Sequence, residues 1–599
     1  MFGSNLKKAG GVVLAAALLV AAGAANAGGA KVEKTSFGQP PRDSSIVVSP
    51  QGQHVAWPGM AGSRVDMVVD GVAGPPFDQL LLQPSGGTVA FSEDGSRYTY
   101  FGRTGGEYPL IVDGKEMAHG PYNPSRLGYL AFSPGGKHVY FIESDNGYQV
   151  VMDGKPGPQS STGRLGVVFS ADDEHYAYNG PERMNSSQWF SVIDGEKGPF
   201  IGNDLQYTPD NRLISIMPKP DGQVLMIDGQ PVLKARAIRK IRVAPGGRHI
   251  LAVVFPEAGG AEVLYVDGKP VKAATNPTNV VFSTDGNHYA ATCSAGTGRA
   301  FVVIDGEKGR EYAAVRNAAF IPGTSRVLYI AGSSQGKEFV VADGKELGPY
   351  PQGLVTNQTS QSGIVMSKTD GHYIFASNYD SRSKTQDIVY DGKTLQLHDY
   401  KLWGIPPTLS ADGTRYAFAV SPWRNVDIVG LLVDGKLQEG VKPRRWRNRL
   451  GSPSGIAFSS DGRHIAWEAH SKDPHKRFAL FVDGKPVFSD PKGSAWLIRF
   501  TPNGRHLYWA WYVANGGRPN EFTLYLDGRA VAQFSRSSLN KLPSAWQMNV
   551  DGSVQFLTVG KDGNVLRYRV APAADTSVET LLGGAATGQA TPAIHPNPE

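Results

Sequence analysis

The chain has 599 residues, a single cysteine and a formal net charge of +6. One cysteine excludes an intramolecular disulfide framework, and so small a charge over this length gives no footing for nucleic-acid binding. The length admits more than one domain.

At the start stand Lys7 and Lys8, an apolar run from Val12 through Ala22, and then Ala25-Asn26-Ala27. A short cationic stretch, an apolar core too short to span a bilayer and a small-x-small site predict a secretory signal peptide over residues 1–27. Cleavage before Gly28 would remove two lysines, leave a charge of +4, and give a periplasmic or secreted product. No cysteine follows the apolar core and no twin arginine precedes it, so a lipoprotein is not expected. No later run is apolar enough to predict a transmembrane segment.

The rest of the chain repeats one unit. It is clearest between Phe132 and Lys155, where Phe-Ser-Pro-Gly-Gly precedes His-Val-Tyr-Phe-Ile, and Val-Val-Met leads into Asp-Gly-Lys. Asp-Gly flanked by strand formers is a strong hairpin signal, because both residues tolerate the positive φ of a two-residue turn. The upstream Ser-Pro-Gly-Gly gives a second turn, so each unit supplies about four short antiparallel strands. The Asp-Gly pairs of the last hairpin begin at Asp70, Asp113, Asp153, Asp194, Asp228, Asp267, Asp305, Asp343, Asp391, Asp434, Asp483 and Asp527, spaced 34 to 49 residues apart. A thirteenth, degenerate copy runs from Met548 through Arg569 and lacks the last hairpin. A period near 40 residues with four strands per copy predicts β-propeller blades, since one blade cannot bury its two apolar faces alone. The Phe opening each upstream turn and the Tyr or Trp after it are the expected blade-to-blade anchors. A segment near Lys34 to Phe37 is expected to supply the strand that the last copy lacks.

The pattern Phe-Ser-x-Asp-Gly-x-x-x-Ala-Tyr/Trp, seen from Phe458 to Trp467 and, with Leu409 first and Phe418 last, in the preceding copy, resembles the WD40-like (PD40) repeat of TolB-type β-propellers. The resemblance covers nearly all of the chain after the leader and implies the fold rather than an activity. Unlike TolB itself, the chain carries no separate helical N-terminal domain and about twice the number of blades. The predicted fold class is therefore all-β, with 12 or 13 four-stranded blades and no separate α/β domain. That many blades suggests tandem β-propellers. The expected division is a first ring of about seven blades over 28–312 and a second of about six over 313–570. Residues 571–599, rich in Pro, Ala, Thr and Gly, are expected to be disordered apart from a short helix near Val578 to Leu582.

Signals for chemistry are few. Gly332-Ser333-Ser334-Gln335-Gly336 matches G-x-S-x-G, but strands on both sides predict a hairpin loop rather than a nucleophile elbow. His54, His138, His175, His249, His288, His372, His464 and His506 recur at one place in the repeat, which points to a bond across the turn rather than to converging metal ligands. Cys293 lies in an apolar strand and reads as core. Lys234 to Arg242 reads as one charged blade face. No catalytic residue, metal ligand or cofactor motif is assigned, although carboxylates converging from several blades would escape a linear reading.

Tryptophan is uneven, with eight of ten after residue 400. Trp467, Trp509 and Trp511 fall in strands and read as core. Trp403, Trp423 and Trp446 fall in connections, the last within Lys442-Pro-Arg-Arg-Trp-Arg-Asn-Arg449. Guanidinium groups around an exposed indole can hold an anionic partner by bidentate bonds and stacking. Trp403, Trp423, Arg444, Arg445, Trp446, Arg447 and Arg449 are the candidate ligand-binding residues. The expected function is a non-catalytic exported scaffold that binds an envelope protein or an anionic polysaccharide such as peptidoglycan. The rival expectation is a propeller enzyme acting on glycans or peptides.

Overall fold

The computed structural model describes residues 22–584 apart from short internal stretches, the longer being 82–88, 119–128, 355–362, 423–429, 439–454, 470–477, 514–520 and 536–545. The described strands form thirteen antiparallel sheets of the propeller kind, one per sequence repeat. We number these blades 1 to 13 in chain order, from blade 1 over 47–73 to blade 13 over 547–572. In blades 2 and 10 the first strand is split, as Gln79–Leu80 with Ala90–Phe91 and as Tyr400–Leu402 with Thr408–Leu409. Among the described residues the one helix is Val578–Gly584, at the place where a short helix was expected.

The Asp-Gly turns set the blade geometry. At all twelve pairs the Asp has φ between 46° and 51° and the Gly between 73° and 92°, the pair of left-handed conformations that a tight hairpin requires. The carboxylate then works in two directions. In blade 3, Asp153 Oδ1 accepts the Val139 amide at 2.9 Å, and Oδ2 accepts the His138 Nδ1 proton at 2.6 Å. The same pair of bonds recurs for His54 with Asp70, His175 with Asp194, His249 with Asp267, His288 with Asp305, His372 with Asp391, His464 with Asp483 and His506 with Asp527. The periodic histidines are thus turn-locking residues, as their spacing predicted. Blades 2, 8 and 10 place Arg97, Arg326 and Arg415 in the same slot, each donating Nε to the turn aspartate.

That slot also joins one blade to the next. The His54, His138 and His464 rings stack on Phe91, Phe169 and Phe500 of the following blade. The Arg97 and Arg415 guanidinium groups lie over Phe132 and Phe458, with centroid distances of 5.1 and 5.5 Å. Arg97 Nη1 donates further to the carbonyls of Gly136 and Lys137 in the next blade, at 2.7 and 3.1 Å. Phe91, Phe132, Phe169, Phe458 and Phe500, each at the opening of a turn motif, are therefore blade-to-blade anchors.

Apolar clusters fill the spaces between blades, and all but one of them join sequence neighbours. Blades 4 and 5 are joined by Asn211, whose side chain accepts the Ala171 amide and donates to Asp172. The circuit closes between blades 13 and 1 through Phe37, Val55, Trp57, Leu557 and Val565. There the strand Ala30–Ser36 pairs along Val565–Pro572 and supplies the outer strand that the last repeat lacks. The junction of blades 7 and 8, where residues 312 and 313 lie, is packed. Tyr312 sits there with Ala290 and Val302 of blade 7 and Phe320, Val327 and Tyr329 of blade 8.

Candidate functional site

Trp403, Trp423, Arg444, Arg445, Trp446, Arg447 and Arg449 lie outside the described residues. Other sequence signals can be placed. Trp467, Trp509 and Trp511 are buried blade core. Ser333 sits in a hairpin between the strands Val327–Gly332 and Glu338–Ala342, where its amide donates to the Lys337 carbonyl. Cys293 is buried, and burial pushes its thiol up to about 12, far from a reactive thiolate. The basic run near residue 240 is partly neutralised, since Lys234 pairs with Asp221 and Glu257, and Arg239 with Glu262.

What the linear reading missed is a cleft along the first strands of blades 2 to 5. It has a volume of about 570 Å³, and its wall is an aromatic row made of Phe91, Phe132, Phe169 and Tyr207, with Tyr140 and Val167 beside them. The repeat itself makes this row, because each blade places the residue that ends its first strand at the same height. The buried Ser or Thr that follows fixes the turn. Ser92 Oγ donates to Asp94 and accepts the Arg97 amide, while Thr208 Oγ1 does the same with Asp210 and the Arg212 amide. The hydrogen bonds from Ser92 and Ser96 hold the Asp94 carboxyl down at about 2.

Blade 4 departs from the pattern where its turn glycine would stand. Asp173 occupies that position at φ 61° and reaches into the turn of blade 3, where its carboxylate accepts the Ser133 hydroxyl and the Lys137 amide. Ser133, a wall residue, is therefore committed to a structural bond and not poised as a nucleophile. Glu93 is the carboxylate of the wall. Burial pushes the Tyr207 hydroxyl up to about 12, so it stays neutral and can donate or accept one bond. The cleft is lined by aromatic and apolar side chains and one carboxylate, and the rings of Phe91, Phe132 and Phe169 already carry His54, Arg97 and His138 against them. The signal for it in the sequence is the Phe, Phe, Phe, Tyr series at the ends of four consecutive first strands.

No family model matches the chain, and no curated protein matches it. Among solved structures, one described as the crystal structure of the eukaryotic initiation factor is similar over 54% of this chain and 94% of its own, with 11% identity and a TM-score of 0.27. A likeness at that score carries no argument about this chain.

Proposed function

We propose that the chain is an exported, non-catalytic β-propeller of the TolB-like kind. Its rigid surface would bind a component of the cell envelope, either a protein or an anionic glycan. The observation that carries the scaffold reading is the unbroken circuit of blade-to-blade packing, which makes the described strands one repeated binding platform. Export is supported by the cationic, apolar and small-x-small succession of residues 1–27. The closing strand begins at Ala30, so cleavage before Gly28 leaves it intact.

The test of the binding surface is simultaneous replacement of Arg444, Arg445, Trp446 and Arg447 by alanine, with retention of the leader-free protein on purified envelope fractions as the readout. A fall in retention with an unchanged thermal midpoint is expected. Undiminished retention removes that loop from the binding surface. Export is tested separately by N-terminal sequencing of the protein recovered from the periplasm or medium, which should begin at Gly28.

A further inference from the structure

Blade 13 carries a fifth strand. Ala22–Ala27 pairs antiparallel with the closing strand in an unbroken register, from Ala22 opposite Thr35 to Ala27 opposite Ala30. Its six residues, Ala-Gly-Ala-Ala-Asn-Ala, belong to the leader. The closing strand is thus held from both sides, by Val565–Pro572 within the blade and by leader residues at its outer edge.

The direction of the backbone groups follows from one bond. The Phe37 amide donates to the Val565 carbonyl at 2.8 Å, toward the blade. Amides alternate sides along a strand, so those of Glu33 and Thr35 also face the blade, whereas those of Val32 and Lys34 face the leader strand. Removal of residues 1–27 uncovers that second set. The edge so exposed carries no proline and no bulge, two of the devices that keep strand edges from recruiting another chain.

We propose that in the leader-free protein the outer edge of Ala30–Ser36 is a docking seat for an extended segment of a partner polypeptide, built of small residues and added as a fifth antiparallel strand. The leader strand that occupies the seat shows what fits it, a short run of alanine, glycine and asparagine paired residue for residue. Main-chain bonds would supply the affinity, as in other cases of strand addition. The seat rests on the exported reading, because the leader must leave before a partner can enter.

The experiment compares the full chain, purified with its leader retained, with the chain beginning at Gly28, by amide hydrogen exchange resolved to single residues. The Val32 and Lys34 amides are expected to exchange about tenfold faster or more in the leader-free chain, while Glu33 and Thr35 stay protected in both. A synthetic peptide of sequence Ala-Gly-Ala-Ala-Asn-Ala, added at millimolar concentration, should restore protection at Val32. Lys34→Pro removes an outward amide without touching those that face the blade. In the leader-free chain it should keep the thermal midpoint and abolish the peptide's effect, whereas Lys34→Ala should retain it. Equal exchange rates in the two chains overturn the proposal, as does peptide protection that survives Lys34→Pro. Protection at Val32 in the leader-free chain without peptide overturns it too. If that protection depends on protein concentration, the seat belongs to a second copy; if it is lost on deleting residues 585–599, the seat belongs to the chain's own C-terminal segment. Should exported protein still begin ahead of Ala22, the export reading fails, and the exchange comparison judges the edge independently.

Discussion

Blade 3 and blade 13 solve the same problem from different material. Blade 3 is one continuous piece of chain, with four strands in order and a His138–Asp153 pair locking its turn. Blade 13 has three strands of its own and lacks the last Asp-Gly hairpin of the repeat, and it takes its fourth strand from the other end of the molecule. An arginine also ties the seam. Arg567 donates to the Gln53 carbonyl, 514 positions away in sequence, and its guanidinium lies 3.4 Å from Asp70 Oδ1 and 4.6 Å over the Phe37 ring. It performs across the seam what Arg97 performs between blades 2 and 3. Local sequence is enough to form a blade, whereas closure needs both ends of the chain. The entropy of joining those ends must be offset by one strand and a few side chains.

The largest expected effect separates the two blades by location rather than by size. Phe37→Ala empties a ring from the seam cluster, and Phe141→Ala empties one from the cluster between blades 2 and 3. Each should cost about 3–5 kcal/mol in a urea titration. Only the seam variant should also open residues 30–36 to limited proteolysis at low protease concentration. Equal proteolytic resistance in both variants would show that the closing strand does not depend on Phe37.

Next in size are the turn glycines. Gly154 and Gly484 have φ of +78° and +81°, so valine is strained at either, by about 1–3 kcal/mol. They differ in what a new side chain meets. A Cβ at Gly154 would come within 2.7 Å of Ala118 Cβ in the neighbouring blade, and one at Gly484 would meet only the end of the Gln438 side chain at 3.4 Å. Gly154→Val should therefore fall at the upper end of that range and Gly484→Val at the lower, as read from thermal midpoints. Arg97→Lys should be smaller, about 1 kcal/mol. A lysine can reach Asp113 but cannot also bridge to the Gly136 and Lys137 carbonyls while lying flat on Phe132.

The blades were legible in the sequence because their turns are made by residue types that few other structures demand. Asp-Gly at a fixed place in a 40-residue period leaves little but a hairpin, and a histidine recurring beside it has to be explained by that hairpin. The closing strand was legible as a gap, since the last copy lacked a hairpin and something else had to fill its edge. The placement of a ring boundary was not legible. Every repeat carries the same apolar faces, so sequence says that blades stack and is silent on where stacking stops. The continuity through Tyr312 is visible only when partners are known. The aromatic cleft escaped for a related reason. Phe91, Phe132, Phe169 and Tyr207 each read as one anchor per repeat, and they become a common wall only when consecutive blades set them side by side.

The smallest effect tests the seam through its histidine. The bond from Nδ1 to Asp70, 2.7 Å long, holds the His54 imidazole above its ordinary value. The Asp70 charge and the Ser96 carbonyl at 3.0 Å act in the same direction, against burial and the Arg567 charge. A histidine held higher in the folded chain than in the unfolded one gives a contribution that is complete below the unfolded value, about 6.5. It is lost as pH rises through the folded value, so this part of the seam should weaken with alkalinity. Asp70→Asn keeps a residue that accepts the left-handed turn and removes the charge that raises the imidazole. The variant should be less stable at pH 6 and should lose less than the parent between pH 6 and pH 9 in urea midpoints. His175 is raised by Asp194 in the same way, yet its side chain is half exposed, so solvent screens the pair. Asp194→Asn should accordingly flatten the pH dependence less than Asp70→Asn does. If the two substitutions flatten it equally, the His54 pair owes nothing to its place at the seam.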